Sequence, residues 1–245
     1  MSSTITIAID GFSGCGKSSL ARALAQRLNY RYIDTGAMYR AVTLYFIRHQ
    51  VDMDNALEVA KALEAIEIDF CTSAGPTTQQ TSTPWQQEAT LKDQQPQNIT
   101  LLNGEEVEDL IRDREVSQLV SPVATISAVR RDMVAQQRRM GSEGGVVMDG
   151  RDIGTVVFPQ AELKLFLVAD AEIRAQRRLA ELKDRGIDST FEEVMANLLE
   201  RDKIDSSRAD SPLRQAEDAI VIDNSDLSFE ELVERAMVEV SRVVG

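Results

Sequence analysis

The stretch from Gly11 to Ser18, GFSGCGKS, combines residue types that bind phosphate. It matches the pattern G-x-x-x-x-G-K-[ST], in which backbone N–H groups surround the phosphates of a nucleotide, the lysine reaches the β- and γ-phosphates and the hydroxyl binds Mg²⁺. Its three glycines let the backbone bend and approach a ligand closely. Lys17 and Ser18 are therefore predicted to bind phosphate and magnesium, and the protein is predicted to bind a nucleoside triphosphate.

The residues around this stretch predict a strand before it and a helix after it. Ile5–Ile9 is short, apolar and rich in β-branched residues, as in a strand buried on both faces. Residues 20–28, LARALAQRL, have leucine or alanine at helical spacing. The N-terminus of a helix presents free N–H groups and the positive end of its dipole to an anion. This context favours a phosphate loop over a glycine-rich turn that contains a lysine by chance.

Four further groups of polar residues follow predicted strands or lie on the helices after them. The carboxyl ends of parallel strands meet at one crevice, so side chains just after a strand are site candidates. The groups are Thr35 and Arg40 after the second strand, Asp149, Arg151 and Asp152 after the third, Arg174, Arg177 and Arg178 on one helix, and Arg201, Asp205 and Arg208 on another. Spacings of three and four place at least two members of each helical group on one face.

The arginines have two interpretations. A guanidinium binds phosphate bidentately, so arginines aimed at a triphosphate site form an anion clamp. An arginine-rich helix more often has a solvated face, and this is our interpretation of Arg139 and Arg185. For Arg151 and Arg208 we favour anion binding.

Short apolar strands alternate with helices along nearly the whole chain, which predicts an α/β fold. We expect a five-stranded parallel sheet covered by helices on both faces. Its strands are predicted at residues 5–9, 30–36, 146–149, 163–169 and 219–223. Two helices are predicted between Asp113 and Met140, meeting near Pro122. A capping box of Ser189 or Thr190 with Glu192 or Glu193 predicts the start of another helix.

Residues 68–107 differ in character from the rest of the chain. A strand-like IDFC is followed by a polar, Gln/Thr-rich stretch and then by NITLLNGEEV, whose Asn103-Gly104 pair predicts a hairpin turn. We interpret this region as an inserted β-rich domain with Trp85 as its hydrophobic anchor, between core segments 1–67 and 108–245. A partly disordered loop is the alternative for its polar middle.

The composition limits the class of protein and of partner. The chain has 245 residues, is 43% hydrophobic and carries a net charge of −13, which argues against nucleic acid as a partner. It shows no apolar stretch of transmembrane length and no signal-peptide pattern. The two cysteines, Cys15 and Cys71, do not indicate a disulfide framework or a metal site. We expect a cytoplasmic monomer.

Several segments together resemble the bacterial cytidylate kinases, which are nucleoside monophosphate kinases. They are, in chain order, IDGFSGCGKSSLA, YIDTGAMYRA, LIRDREVSQLVSPVA, VMDGRDIGTVVFP and ERDKIDSSRADSPL. The phosphate loop occurs in many families, whereas DGRDIGTVVFP together with RDxxDxxRxxxPL is specific to this one. The resemblance covers nearly the whole chain, and residues 72–98 match least.

The resemblance implies a P-loop kinase that transfers the γ-phosphate of ATP to CMP, and to dCMP, with Mg²⁺ as cofactor. It implies ATP binding by Gly11, Phe12, Ser13, Gly14, Cys15, Gly16, Lys17, Ser18, Ser19, Arg174 and Arg178. The CMP phosphate would be held by Thr35, Arg40, Arg151 and Arg208, the cytosine read by Arg112 and Asp152, and the sugar held by Arg201 and Asp205. Lys17, Arg151 and Arg208 would be catalytic. Residues 183–190 would form a mobile helical lid, and residues 68–107 the monophosphate-binding domain.

Two places depart from the family pattern. Glu108 and Asp109 stand where relatives often carry Ser or Thr before the Ile-Arg pair, so a hydroxyl contact to the base is not expected from there. Ile204 and Ser206 stand where some members carry arginine, which leaves fewer clamps for the phosphates.

A phosphate acceptor would need no general base, because its second pKa of about 6 leaves it anionic near neutral pH. Catalysis would then consist of positioning and charge neutralisation by Lys17, Mg²⁺ and the arginines. A kinase of a small hydroxylated metabolite, of the shikimate or gluconate type, would use a base such as Asp34, but it would have no use for so many arginines. A regulatory GTPase would carry Asn-Lys-x-Asp, which the sequence lacks. Cys15 is expected to react slowly with thiol reagents when ATP and Mg²⁺ are bound and faster when they are absent.

Replacing the loop lysine should abolish phosphate transfer without unfolding the protein. Lys17→Met removes a positive charge from the transferring phosphate, so turnover should fall by several orders of magnitude. A coupled assay for ADP release measures the turnover, and circular dichroism checks the fold. An unfolded variant, or one with nearly normal activity, would refute the assignment of the loop.

Overall fold

The computed structural model describes residues 4–72, 98–184 and 186–245, and in these ranges five parallel strands form a central sheet beside a smaller antiparallel one. In chain order the strands are β1 (Thr6–Gly11), β2 (Arg31–Asp34), β3 (Ile68–Thr72), β4 (Asn98–Leu102), β5 (Glu105–Glu106), β6 (Val146–Gly150), β7 (Leu163–Val168) and β8 (Ile220–Asp223). The central sheet has the order β2-β6-β1-β7-β8. The predicted five-stranded parallel sheet is confirmed.

Eight α-helices lie in the same three ranges. They are α1 (Lys17–Leu28), α2 (Thr35–His49), α3 (Ala56–Glu64), α4 (Arg114–Val123), α5 (Ser127–Gly141), α6 (Ala171–Asp184), α7 (Phe191–Ser207) and α8 (Phe229–Val244). A 3₁₀ turn, Leu110–Arg112, precedes α4, and a π-helical turn, Ile153–Val157, follows β6. The sequence did not predict the π-helical turn, which bears on the candidate site.

The two faces of the central sheet carry separate apolar cores. Successive residues of a strand point to opposite faces. Ile7 and Ile9 of β1 therefore pack with residues of α1 and α8, while Ala8 between them packs with residues of α2, α4 and α5. Strands buried on both faces read as continuous apolar runs, which explains why the sequence alone located them.

Helices α6 and α7 form a hairpin with a small apolar core of its own. Ala175 of α6 packs there with Val194 and Leu198 of α7. Helix α7 begins at the predicted capping box, in which the Glu193 N–H donates to the Thr190 hydroxyl and the Thr190 N–H donates to the Glu193 carboxylate. The predicted lid, residues 183–190, connects these two helices.

The smaller sheet has the order β3-β4-β5 and is antiparallel. Asn103 and Gly104 form the turn between β4 and β5 with φ angles of 53° and 80°, so the predicted hairpin turn is confirmed. Ile68 and Leu102 of this sheet belong to the same apolar core as α2. The sheet thus packs directly on the helices that cover the central one. The prediction for Trp85 lies outside the described residues.

The junction of α4 and α5 lies next to Pro122, so the prediction of two helices that meet near this residue is confirmed. Helix α4 continues through Pro122 to Val123, and residues 124–126 separate it from α5. Proline can occupy this last turn because its missing N–H costs one helical hydrogen bond only. Arg185, interpreted as a solvated arginine, lies outside the described residues. Within those residues we find no helix with the length and apolarity needed to cross a membrane.

Candidate active site

A cavity of about 810 Å³ opens at the carboxyl edge of the central sheet, and we call it the central cavity. The ends of β1, β2 and β6 meet there, as expected for a parallel sheet. Of the predicted site residues, the central cavity is lined by Ser13, Gly14, Gly16, Lys17, Ser18, Ser19, Thr35, Arg40, Arg112, Arg151, Asp152, Arg178, Arg201, Asp205 and Arg208. Four predicted residues are not in its lining: Gly11, Phe12, Cys15 and Arg174.

The phosphate loop has the backbone that its glycines predict. Gly14 and Gly16 have φ angles of 77° and 79°, in the left-handed region that favours glycine. Helix α1 begins at Lys17, so its free N–H groups face the loop. The Lys17 ammonium donates to the Phe12 carbonyl at 2.6 Å. Burial, followed by the charge of Arg151, lowers the pKa of Lys17 to about 8. An anion bound in the loop would therefore stabilise the charged form of Lys17.

Arg174 supports the loop from behind. Its guanidinium donates to the Ser13 carbonyl at 3.1 Å, forms an ion pair with Asp202 at 2.6 Å and lies 5.4 Å from the centre of the Phe12 ring. All of these partners belong to the protein, and the side chain is buried. The ATP contact predicted for Arg174 therefore does not fit its position, and its contacts fix the loop instead.

Asn224, which sequence reasoning missed, ties the loop to the turn after β8. Its side-chain amide donates to the Cys15 carbonyl at 2.7 Å, and its side-chain oxygen accepts from Arg177 at 2.9 Å. Asn224 and Arg177 both line the central cavity. A polar residue directly after a strand was the available signal, and it applied to β8 as well as to the other strands.

Ser18 and Asp149 bring two hard oxygen donors together beside the loop. The Ser18 hydroxyl donates to one oxygen of the Asp149 carboxylate at 2.9 Å, and the Tyr32 hydroxyl donates to the other at 2.9 Å. Burial, followed by the charge of Asp34, raises the pKa of Asp149 to about 6. A hydroxyl and a carboxylate oxygen are ligands that Mg²⁺ accepts, so these residues fit the predicted metal.

Arginines gather at the middle of the central cavity. Removal from water, followed by the charges of Arg201, Arg112 and Arg178, lowers the pKa of Arg40 to about 9. The pKa of Arg201 falls to about 10, again through removal from water and then through the charge of Arg151. Arg40 donates to Ser117 at 3.1 Å, while the Nε of Arg201 is buried without a hydrogen-bond partner. Close positive charges that lower one another's pKa favour a bound anion.

Asp205 lies between two of the predicted phosphate-binding arginines. It accepts from Arg151 at 2.8 Å and from Arg208 at 3.5 Å. Nη2 of Arg208 is buried without a hydrogen-bond partner, 3.9 Å from the carboxylate of Asp152. The structure thus brings Arg151, Asp152, Asp205 and Arg208 together, as the sequence predicted.

Thr35 and Asp34 are engaged at the start of α2. The Thr35 hydroxyl donates to the Asp149 carbonyl at 2.6 Å, which joins β2 to β6 below the central cavity. Asp34 caps α2 by accepting from the Ala37 N–H at 2.9 Å, and it lies 3.5 Å from Arg112. Both oxygens of Asp34 are therefore engaged by groups of the protein, which leaves this carboxylate poorly placed to contact a substrate hydroxyl.

Asp152 and Arg112, predicted to read the base together, have different partners. Asp152 is buried in an ion pair with Arg130, a fully buried arginine that also lies 5.5 Å from the centre of the Tyr39 ring. Arg112 instead donates to Glu108 at 2.7 Å and faces Asp34. The arginine that accompanies Asp152 is therefore Arg130, and the pairing with Arg112 was wrong.

The sequence contained a signal for Arg130. It shares the buried face of α5 with Met133 and Gln137, at spacings of three and four. An arginine on an apolar helix face requires a buried partner, because an unpaired buried charge is costly. Asp152 is that partner.

Glu108, one of the departures from the family pattern, holds Arg112 in place. Its carboxylate accepts from Arg112 through one oxygen, and from the Thr100 N–H and hydroxyl at 3.2 Å and 2.7 Å through the other. Thr100 lies on β4, so this contact joins the smaller sheet to the lining of the central cavity.

Comparison with known proteins agrees with this arrangement. Residues 7–242 match the family model described as cytidylate kinase. The chain belongs to the cytidylate kinase family. The cytidylate kinase of Parabacteroides distasonis is 50% identical over 230 residues, which cover 93% of this chain and 92% of that protein. The cytidylate kinase of Bacteroides thetaiotaomicron is 48% identical over 241 residues, 98% of each chain.

Solved structures of other kinases align with the chain only at low similarity. The shikimate kinase of Bacteroides thetaiotaomicron aligns with 99% of both chains at a TM-score of 0.48 and 13% sequence identity. Similarity at this level does not bear on the substrate.

The thiols of Cys15 and Cys71 should differ in reactivity. Cys15 is fully buried in an apolar core, so the expectation that it reacts when ATP is absent was wrong, whereas Cys71 is exposed. We expect native protein to take up label on Cys71 alone, with or without ATP and Mg²⁺, and denatured protein to take it up on both. Mass spectrometry after reaction with iodoacetamide measures this. Rapid labelling of Cys15 in native protein would contradict its burial.

Proposed function

We propose that the protein transfers the γ-phosphate of ATP to CMP, yielding CDP and ADP, and that it also accepts dCMP. The observation that carries this proposal is the order of groups along the central cavity. Lys17 of the phosphate loop lies within range of the charge of Arg151, and Asp205 joins Arg151 to Arg208. Arg208 in turn faces Asp152, which forms the buried pair with Arg130. This order matches a donor triphosphate, an acceptor phosphate and an acceptor base.

Asp152 and Arg130 would recognise the base. Tyr39, Val120 and Ala124 are buried residues in the lining near this pair and provide apolar walls for a flat ring. Cytosine offers an amino donor at position 4, with acceptors at N3 and O2. A carboxylate accepts from the amine and a guanidinium donates to the acceptors, so the pair complements cytosine. Uracil has a carbonyl in place of the amine and would face Asp152 unfavourably.

The acceptor phosphate would lie among the arginines. Thr35, Arg40, Arg151 and Arg208 would hold it, with Arg112 beside them instead of at the base. An anion there would relieve the mutual repulsion that lowers the pKa of Arg40. The ribose would be held by Arg201 and Asp205, which line the same region.

The donor triphosphate would lie in the loop of residues 11–19, with Lys17 and Arg178 at its phosphates. Mg²⁺, held by Ser18 and Asp149, would supply positive charge to the β- and γ-phosphates. Apolar side chains of Leu227 and Phe229, next to Arg177 in the lining, would accommodate the adenine. No protein base is required, because the acceptor oxygen is already ionised near pH 7.

The proposed reaction also assigns roles to the larger parts of the chain. Residues 1–67 and 108–245 would form the nucleotide-binding core, and residues 68–107 the acceptor-binding insert. Residues 183–190 and the flanking helices would close as a lid and exclude water that could hydrolyse ATP. The described residues that line the central cavity come from one chain, and we infer that the protein acts as a monomer in the cytoplasm.

A kinase of a small hydroxylated metabolite is less consistent with these contacts. It would use Asp34 as a base, but that carboxylate is occupied by the Ala37 N–H and Arg112. A neutral polyol also carries no charge to offset Arg40 and Arg201.

A substrate panel tests the proposed function. ADP release should be fastest with CMP and dCMP, and slow with UMP, AMP, GMP and shikimate. Arg208→Ala should lower kcat/KM for CMP by at least ~100-fold, since it removes a charge-assisted contact to phosphate. Arg139→Ala, which alters an exposed arginine of α5, is the matched control and should retain normal activity. Faster reaction with shikimate than with CMP would overturn the proposal.

Asp152→Asn should weaken the preference for CMP over UMP. Asparagine keeps the size of the side chain but offers a donor as well as an acceptor, so it tolerates the uracil carbonyl. We expect kcat/KM for CMP to fall and the CMP/UMP ratio to narrow by at least ~10-fold. Steady-state kinetics with both nucleotides give the ratio, and the exposed Asp54→Asn serves as control. If kcat/KM falls by the same factor with CMP and with UMP, Asp152 does not recognise the base.

A further inference from the structure

Asp10 is a buried carboxylate to which the proposed reaction assigns no role. It is the penultimate residue of β1, directly before the phosphate loop, and its exposed fraction is 4%. One of its oxygens accepts from the Ile153 N–H at 2.9 Å and the other from the Gly154 N–H at 2.7 Å. These contacts join parts of the chain that are more than 140 residues apart.

The two N–H groups belong to the first residues of the π-helical turn. The first N–H groups of a helical turn have no partner within the turn, so a carboxylate that accepts two of them fixes where it begins. Asp152 immediately precedes the turn and has an irregular backbone with φ −146° and ψ 24°. Its backbone position therefore depends on the position of Ile153, which Asp10 holds.

The packing around Gly154 leaves little space for adjustment. A Cβ added there would lie 3.1 Å from the side chain of Lys164 and 3.4 Å from an oxygen of Asp10. The turn is thus pressed between β7 and β1, and its place relative to the sheet is set by the Asp10 carboxylate.

We propose that Asp10 is a positioning residue that sets the place of Asp152, and through it the affinity for the acceptor nucleotide. Asp10 lies on β1, the strand that leads into the phosphate loop, and its side chain reaches the turn that follows Asp152. Because both hydrogen bonds of its side chain go to the turn that follows Asp152, the effect should appear mainly in the binding of CMP. The prediction for CMP rests on the proposed function.

The charge of Asp10 is balanced within a small group of neighbours. Lys17 faces it from α1, and Asp152 faces it from the turn after β6. Lys164 approaches from β7, but its ammonium donates to Asp218 at 2.8 Å and to the Pro159 carbonyl at 2.7 Å. Burial raises the pKa of Asp10 to about 7, while the two N–H donors oppose that shift.

A proton on Asp10 would weaken this anchor. A protonated carboxyl oxygen is a donor that faces an N–H, so at least one of the two contacts is lost. As the pH falls from 8 to 6, the turn should loosen and KM for CMP should rise in the wild-type protein.

The variant Asp10→Asn tests the link, because an amide can accept only one of the two bonds. We expect KM for CMP to rise by at least ~10-fold at pH 8, since small displacements of binding groups are costly. KM for ATP should change by less than ~2-fold, and the step in KM for CMP near pH 7 should vanish. Asp54→Asn is the matched control, and circular dichroism confirms folding. Equal increases in both KM values, or no increase, would overturn the proposal.

A second measurement is independent of catalysis. In ¹H–¹⁵N spectra of the wild-type protein, the amides of Ile153 and Gly154 should titrate together with a midpoint near pH 7. Flat amide shifts between pH 6 and 8 would overturn the proposal even if the Asp10 variant fails to fold. Gly154→Ala, which presses on the same turn, should raise KM for CMP as well. If the wild-type protein does not phosphorylate CMP, the proposed function fails while the amide titration still decides the role of Asp10.

Discussion

Repulsion among arginines is the constraint around which the central cavity is organised. Burial lowers the pKa of Arg40 and of Arg201, and nearby arginines lower it further: Arg201, Arg112 and Arg178 act on Arg40, and Arg151 and Arg178 act on Arg201. Such an arrangement costs stability, because buried like charges find too little water to screen them. The fold tolerates it because buried carboxylates, such as Asp205 between Arg151 and Arg208, neutralise part of the charge. The positive charge that is not neutralised favours the binding of an anion.

The rest of the structure fixes the positions of these charges. A parallel sheet with an apolar core on each face gives β1, β2 and β6 no freedom to slide, so the residues at their carboxyl ends are held at defined separations. Side chains then link one strand end to the next. Thr35 reaches the Asp149 carbonyl, Ser18 reaches the Asp149 carboxylate, and Asn224 reaches the loop at Cys15. Preorganised charges of this kind need no rearrangement when phosphate arrives.

The sequence predicted the fold more completely than the site. Doubly buried strands and glycine-marked loops are local patterns, so the central sheet, the phosphate loop and the Thr190 capping box could be identified from nearby residues. The partner of Asp152 was missed, because Arg130 lies 22 positions away on α5 and its spacing within that helix does not say which carboxylate it pairs with. Arg112 was predicted to contact the base because it lies in a family motif. In the structure its guanidinium contacts Glu108 and Asp34 instead. The contacts of Arg174 with the phosphate loop could not be predicted either, because they depend on how α6 packs against the loop.

The separate apolar core of α6 and α7 affects how charged side chains are positioned at the central cavity. Arg178 lies on α6, while Arg201 and Asp205 lie on α7, so the hairpin carries charged groups for both proposed nucleotides. Because Ala175, Val194 and Leu198 pack with one another, the two helices hold these charged groups at fixed positions relative to one another. The hairpin therefore positions all of them together. The entropy lost in ordering them is incurred once, for a single degree of freedom, instead of separately for each flexible side chain.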